Sequence, residues 1–200
     1  MTCGPFGWVS RPSARLIRWE FTASRDVAEG EHRAYGRLRD PVVHRWGGIF
    51  EKSRHCIVVD DLDGRAEHRV DVRFQFAPMS IVLDTSLWAR AVRSPAAGLF
   101  IHCFATVPLK SSLLEGEIDP HQGWLSPNYG THESAPLLLY SAVARLPIRI
   151  ITVLIPTDAP LGPLPPVSPL VERGELLGVV LDGDREVRCV DDGGGKAEAS

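Results

Sequence analysis

The residues whose type alone suits them to chemistry are the histidines His32, His44, His55 and His68, together with Tyr129 and the carboxylates Asp60, Asp61 and Asp63. Histidines serve as metal ligands or as acid and base near neutral pH. A zinc site, however, needs three or four ligands converging at spacings fixed by a strand or helix, and these four are scattered over separate predicted strands and turns. No metal site is expected. Tyr129 has the right group for acid or base work, yet it sits with Trp124 between Gly123 and Gly130, around a Ser126-Pro127-Asn128 turn. That grouping reads as strand, sharp turn and re-entry, with both rings buried to pin the neighbouring strands. On this reading Trp124→Ala costs about 3 to 5 kcal/mol and Tyr129→Phe about 1 kcal/mol. Asp60, Asp61 and Asp63 look like paired carboxylates only superficially, since successive residues of a strand point to opposite faces. A turn closed by Gly64 at positive φ accounts for them.

The elements that would position these groups are strands. His68, Val70, Val72, Phe74 and Phe76 alternate with Arg69, Asp71, Arg73 and Gln75, the clearest period of two in the chain. Ile17, Trp19 and Phe21 alternate with charged residues and predict a half-buried strand. Residues 42–51 and 56–60, joined by the polar Lys52-Ser53-Arg54-His55, predict a hairpin. Further strands are expected at 81–83, 87–92, 99–105 and 148–155, and a strand is preferred to a helix over 134–145. Short strands punctuated by Gly, Pro and Ser, with no convincing 3.6-residue period, predict an all-β fold, an antiparallel β-sandwich.

Length and composition agree with that class. Two hundred residues, 44% of them apolar and 24% charged, suit one core of a globular protein. A net charge of -3 offers no basic excess for nucleic acid. No stretch approaches the roughly 20 apolar residues of a membrane-crossing helix, and the opening residues lack the features of a secretory signal. Cys3, Cys56, Cys103 and Cys189 include no Cys-x-x-Cys pair, and mostly buried free thiols are expected rather than disulfides. No cofactor is implied. Residues 1–156 are read as the sandwich, 157–170 as a Pro-rich, poorly hydrogen-bonded connection, 171–191 as a terminal hairpin and 192–200 as a disordered tail.

Several segments, in order, resemble the C-terminal β-sandwich of the heparinase II/III-like polysaccharide lyases. They are Gly4 to Trp8, Ala34 to Leu38, His44-Arg45, Val58-Val59-Asp60, Arg65 to Phe76, Gly123 to Gly130 with its full Gly-Trp-x-Ser-Pro-x-Tyr-Gly form, Leu146-Pro147, and Thr152 to Pro156. Ala66-Glu67-His68 departs from the family's Gly-Glu-His. The resemblance implies that the whole enzyme cleaves an acidic polysaccharide, a glycosaminoglycan, by β-elimination at a uronic acid. It also implies an N-terminal helical toroid with the catalytic Tyr, and a Gly-His-Gly-His-Ala-Asp-like segment, neither of which occurs in these residues. The chain is therefore expected to be a fragment, non-catalytic alone, that supplies one wall of the substrate cleft through His44, Arg45 and Tyr129. By resemblance the expected partners are that toroid and an acidic polysaccharide, with no nucleic acid or membrane, and the expected place is the periplasm or cell envelope. A non-catalytic carbohydrate-binding or structural sandwich is the alternative.

Overall fold

A computed structural model describes residues 13–84 and 86–189, which form strands and connections without a helix. In chain order the strands are β1 Ala14–Phe21, β2 Arg25–Tyr35, β3 Val42–Glu51, β4 His55–Asp63, β5 Glu67–Gln75, β6 Ser80–Leu83, β7 Trp88–Ser94, β8 Ala97–Ala105 and β9 Lys110–Leu114. Four two-residue bridges follow, β10 Glu117–Ile118, β11 His121–Gln122, β12 Trp124–Leu125 and β13 Glu133–Ser134. Then come β14 Leu137–Arg145, β15 Ile148–Thr157, β16 Val167–Glu172, β17 Glu175–Leu181 and β18 Arg185–Arg188. The chain divides into two compact units, residues 1–162 and 163–200.

In the first unit, two antiparallel sheets face each other as a sandwich. One has eight strands in the order β1-β2-β3-β4-β15-β8-β7-β6, the other three in the order β5-β14-β9. The core draws on both: Val42, Ala89, Ile101, Cys103, Ile148 and Ile150 come from the large sheet, Val70, Leu138 and Tyr140 from the small one. These residues form strands because β-branched and aromatic side chains alternate or run continuously where both faces are covered. β14 and β15 are the most enclosed pieces, with Leu138, Tyr140, Ile150, Ile151, Thr152 and Val153 almost wholly removed from solvent. Tyr140 keeps its hydroxyl satisfied inside the core by donating to the Leu87 carbonyl at 2.9 Å.

The hairpin of β3 and β4 and the alternation of β5 follow the sequence reading, and 137–145 is a strand. Several details differ. Asp61 and Asp63 lie within β4 rather than in a turn. Gly64 is required for close packing rather than for a left-handed backbone, since a Cβ there would meet Leu146 Cδ1 at 2.8 Å and Asp40 Oδ2 at 3.1 Å. β1 is a strand, but Ile17, Trp19 and Phe21 are 47, 63 and 74% exposed. A bulge between Leu16 and Arg18 puts Trp19 and Phe21 on the face that carries Trp46 and Phe50. Of the cysteines, Cys103 is a buried free thiol and Cys56 a half-buried one.

The second unit is a three-stranded sheet, β16-β17-β18. Its first strand occupies residues read from sequence as part of a poorly hydrogen-bonded Pro-rich connection: Pro169 lies in β16, an edge strand whose only partner in this sheet is β17. Proline is tolerated there because its missing N–H can face away from the ladder. The segment from Gly4 to Trp8 and the expected tail at 192–200 lie outside the described residues.

Candidate functional site

His44 is placed by a hairpin. β2 and β3 turn about residues 36–41, which sets His32 directly across from His44, and β4 brings Asp60 to the diagonal position beside it. The result is a chain of hydrogen bonds. His44 Nε2 meets Asp60 Oδ1 at 2.7 Å, and His44 Nδ1 meets His32 Nε2 at 2.8 Å. The Ala34 N–H points at His32 Nδ1 from 3.4 Å. One set of tautomers satisfies every link: His32 donates through Nε2 to His44 Nδ1, and His44 donates through Nε2 to Asp60. Burial first, and the charge of His44 second, hold the His32 pKa below its ordinary value. His32 is thus favoured in its neutral form, and both ring nitrogens of His44 are already engaged.

This chain borders a cavity of about 210 Å³ between the two sheets, lined among others by Tyr35, His44, Asp60, His68, Asp71 and Leu146. His68 is not bonded to a carbonyl, as a core histidine would be. Its Nε2 lies 2.8 Å from Asp40 Oδ2, which also accepts the backbone N–H of Ala66 at 2.9 Å and of Arg65 at 3.0 Å. These bonds, that from Ala66 foremost, pull the Asp40 pKa from 3.8 to about 2. The cavity is therefore walled by two imidazole–carboxylate pairs whose polar atoms are largely committed to one another.

Arg45 does not share that cavity. As the neighbour of His44 on a strand it projects from the opposite face, where its Nε donates to Glu31 Oε2 at 3.1 Å. Arg15 and Arg33 address the same carboxylate. The Arg45 bond comes first among the causes that lower the Glu31 pKa. On the same face Asp61 receives a two-pronged contact from Arg149, Nε at 2.6 Å and Nη2 at 2.7 Å.

Tyr129 lies apart from both groups and is fully exposed, so its ring fixes nothing by packing. Its neighbour Trp124 is half-buried, stacked on His121 with ring centres 5.3 Å apart and met edgewise by His132 at 4.9 Å. The indole N–H donates to the Glu117 carbonyl at 2.9 Å. Gly123 closes this small cluster: its φ is +73°, a Cβ would come within 2.7 Å of Glu115 Cα, and its carbonyl accepts from Gly116 and Ala135. The segment from Gly123 to Gly130 is thus a local cluster, and β14 with β15 organises the fold. Among the described residues no group of three or more His, Cys, Asp or Glu is placed to hold a metal ion, and no helix is long and apolar enough to cross a membrane.

Sequence reasoning passed over Glu31 and Asp40, and it named His32 and Asp60 only to set them aside. The signal was present for two of them, because a hairpin centred near Leu38 pairs His32 with His44, and one centred near Ser53 brings Asp60 alongside. Asp40 reaches His68 across 28 residues and left no local trace.

A family model described as Heparinase II/III-like, C-terminal, matches residues 2–153. Among solved structures, the chain is similar to heparan sulfate lyase HepC from Pedobacter heparinus, with a TM-score of 0.72 and 18% identity over 88% of this chain and 27% of that one. It is similar to a heparinase III, the BT4657 gene product, with a TM-score of 0.72 and 14% identity over 87% of this chain and 27% of that one. A further structure titled heparinase III gives a TM-score of 0.71 and 16% identity over 88% and 27%. The chain spans 27% of the length of each of these relatives, and at such identities the likeness is one of fold. No curated protein matches the chain.

Proposed function

This chain belongs to the heparinase II/III-like family, whose C-terminal domain it matches, and on that premise we propose that it is the non-catalytic β-sandwich of a polysaccharide lyase. The whole enzyme would act on an acidic polysaccharide by β-elimination: a base removes the proton at C5 of a uronic acid, and the oxygen linked at C4 departs. This sandwich would form a wall of the substrate cleft and stabilise a helical N-terminal domain carrying the catalytic groups. A periplasmic or cell-envelope location goes with that role.

The family match carries this reading, and the chemistry of the described residues supports it. A general base must have a lone pair within reach of the proton it takes, and His44 has each ring nitrogen bonded to another side chain. Tyr129 stands in solvent, apart from the His44 cavity. The His44 cavity is suited to holding part of a chain in place.

The test is ultraviolet absorbance of the unsaturated uronate product. The purified chain is expected to give none on heparan sulfate, alginate or related substrates, and turnover by the chain alone would overturn the non-catalytic assignment. Joined in one polypeptide to a helical domain encoded upstream of it, it is expected to give that product. If such a joined protein were inert on every uronic-acid polysaccharide, the lyase assignment would fall.

A further inference from the structure

At the β1 end of the eight-stranded sheet, three guanidinium groups converge on one buried carboxylate. Arg15, Glu31 and Arg45 occupy one cross-strand row on β1, β2 and β3, and Arg33 follows Glu31 by two residues along β2. The Glu31 side chain is 3% exposed, whereas those of Arg15, Arg33 and Arg45 are 67, 65 and 64% exposed. Arg33 and Arg45 donate to the carboxylate from Nε at 3.2 and 3.1 Å, whereas Arg15 donates from Nη2 at 3.5 Å, with its Nε also 3.5 Å away.

That orientation matters because a guanidinium has five N–H donors and only one of them is on Nε. With Nε of Arg33 and Arg45 committed to Glu31, their terminal nitrogens carry four further donors each. Among the described residues no second acceptor reaches either group. The next carboxylate of the row, Asp61, is taken by Arg149. Three positive charges thus share one negative charge, and the excess is displayed beside an open depression lined by Ser13, Ala14, Arg15, Glu31 and Arg33. Glu31 cannot neutralise the group. It holds the guanidinium planes at a fixed spacing, which is the preorganisation an oxyanion site requires.

We propose that Arg15, Arg33 and Arg45, anchored by Glu31, form a binding site for a sulfate or carboxylate group of a sugar chain, on the face of the sheet opposite the His44 cavity. The oxyanion chemistry stands on the arginines; that a sugar chain brings the oxyanion rests on the lyase reading above. A planar guanidinium takes either group through two parallel hydrogen bonds, so both belong to one chemistry.

Titration calorimetry of the full chain at low salt tests this, using a heparan sulfate oligosaccharide in one arm and a sulfate-free oligouronate of equal length in the other. Binding is expected in at least one arm, and the stronger arm identifies the group. Affinity is expected to fall as salt rises, because the contact is solvent-exposed. Losing two charge-assisted contacts in Arg33→Gln/Arg45→Gln is expected to weaken binding by about tenfold or more. Arg25→Gln, which removes an exposed arginine paired with Glu51 away from both the cluster and the His44 cavity, is expected to leave it unchanged. Should the double variant fold poorly, Arg33→Gln alone is expected to weaken binding severalfold at an unaltered melting temperature. No binding in either arm, undiminished binding by the Arg33 and Arg45 variants, or an equal loss in Arg25→Gln would overturn the site. These outcomes are independent of elimination activity, so failure here and failure of the lyase assignment are told apart.

Discussion

At the scale of single residues, burial decides which aromatic matters. Trp124 is only half-buried, and its partners His121 and His132 belong to the same small cluster. Trp124→Ala is therefore expected to cost about 1 to 2 kcal/mol in urea denaturation, less than full burial would imply. Tyr129, wholly exposed, is expected to give a change within about 0.5 kcal/mol on replacement by Phe. A loss at Trp124 as large as that of a core aromatic would restore the organising role that the sequence suggested. The bracketing glycines of this stretch were readable, and Gly123 does need its left-handed backbone. What could not be read is that the segment folds on itself, because burial depends on whether another layer lies above it. Asp40 offers a second test. Its pKa falls from 3.8 unfolded to about 2 folded, so the unfolded chain binds the proton first as pH drops. The stabilisation is complete above about pH 4 and is lost as pH falls toward 2. Asp40→Asn is expected to flatten stability against pH across that window, as measured by urea midpoints. An unchanged slope would mean that the Ala66 and Arg65 N–H bonds do not hold the carboxylate in its charged form.

Among the elements, β1 shows how far alternation carries an argument. Period two groups Trp19 with Phe21, but the bulge takes Ile17 out of that register, and alternation cannot say whether a face is covered. The small sheet has three strands against eight in the large one, so the core cluster between the sheets draws on β3 onward and Trp19 and Phe21 of β1 stay outside it. Trp19, Phe21, Trp46 and Phe50 are 63, 74, 41 and 44% exposed on one face. An exposed apolar face on a lightly protected edge strand favours association. The isolated chain is expected to self-associate in light scattering, and Phe21→Lys to shift it toward monomer without lowering its melting temperature. A parent that stays monomeric would show that this face needs no cover. The same limit applied to Asp60 and Asp61. Their opposite directions were evident from adjacency, but it took the register of β3, β4 and β15 to show that one meets His44 and the other Arg149.

At the scale of the whole molecule, the all-β class and most strands of the sandwich were legible, because alternation and turn residues are local. The strand order was not, because it depends on pairings between distant segments. β15 is hydrogen-bonded to β4 on one side and to β8 on the other, so it joins two blocks that are each antiparallel and continuous, β1 to β4 and β6 to β8. This arrangement imposes a timetable on synthesis. β4 ends at Asp63 and β15 begins at Ile148, so at about 5 to 20 residues per second the ribosome needs roughly 4 to 17 seconds to deliver the strand that closes the gap. From the completion of β8 at Ala105 until then, the open edges of β4 and β8 both present unpaired backbone beside Ile57, Val59, Ile101 and Cys103, each of which is buried once the strand arrives. A nascent chain stalled before β15 would carry two adhesive edges, and its fate would rest on what reaches them first: its own late strand, a chaperone, or a neighbouring copy in the same state.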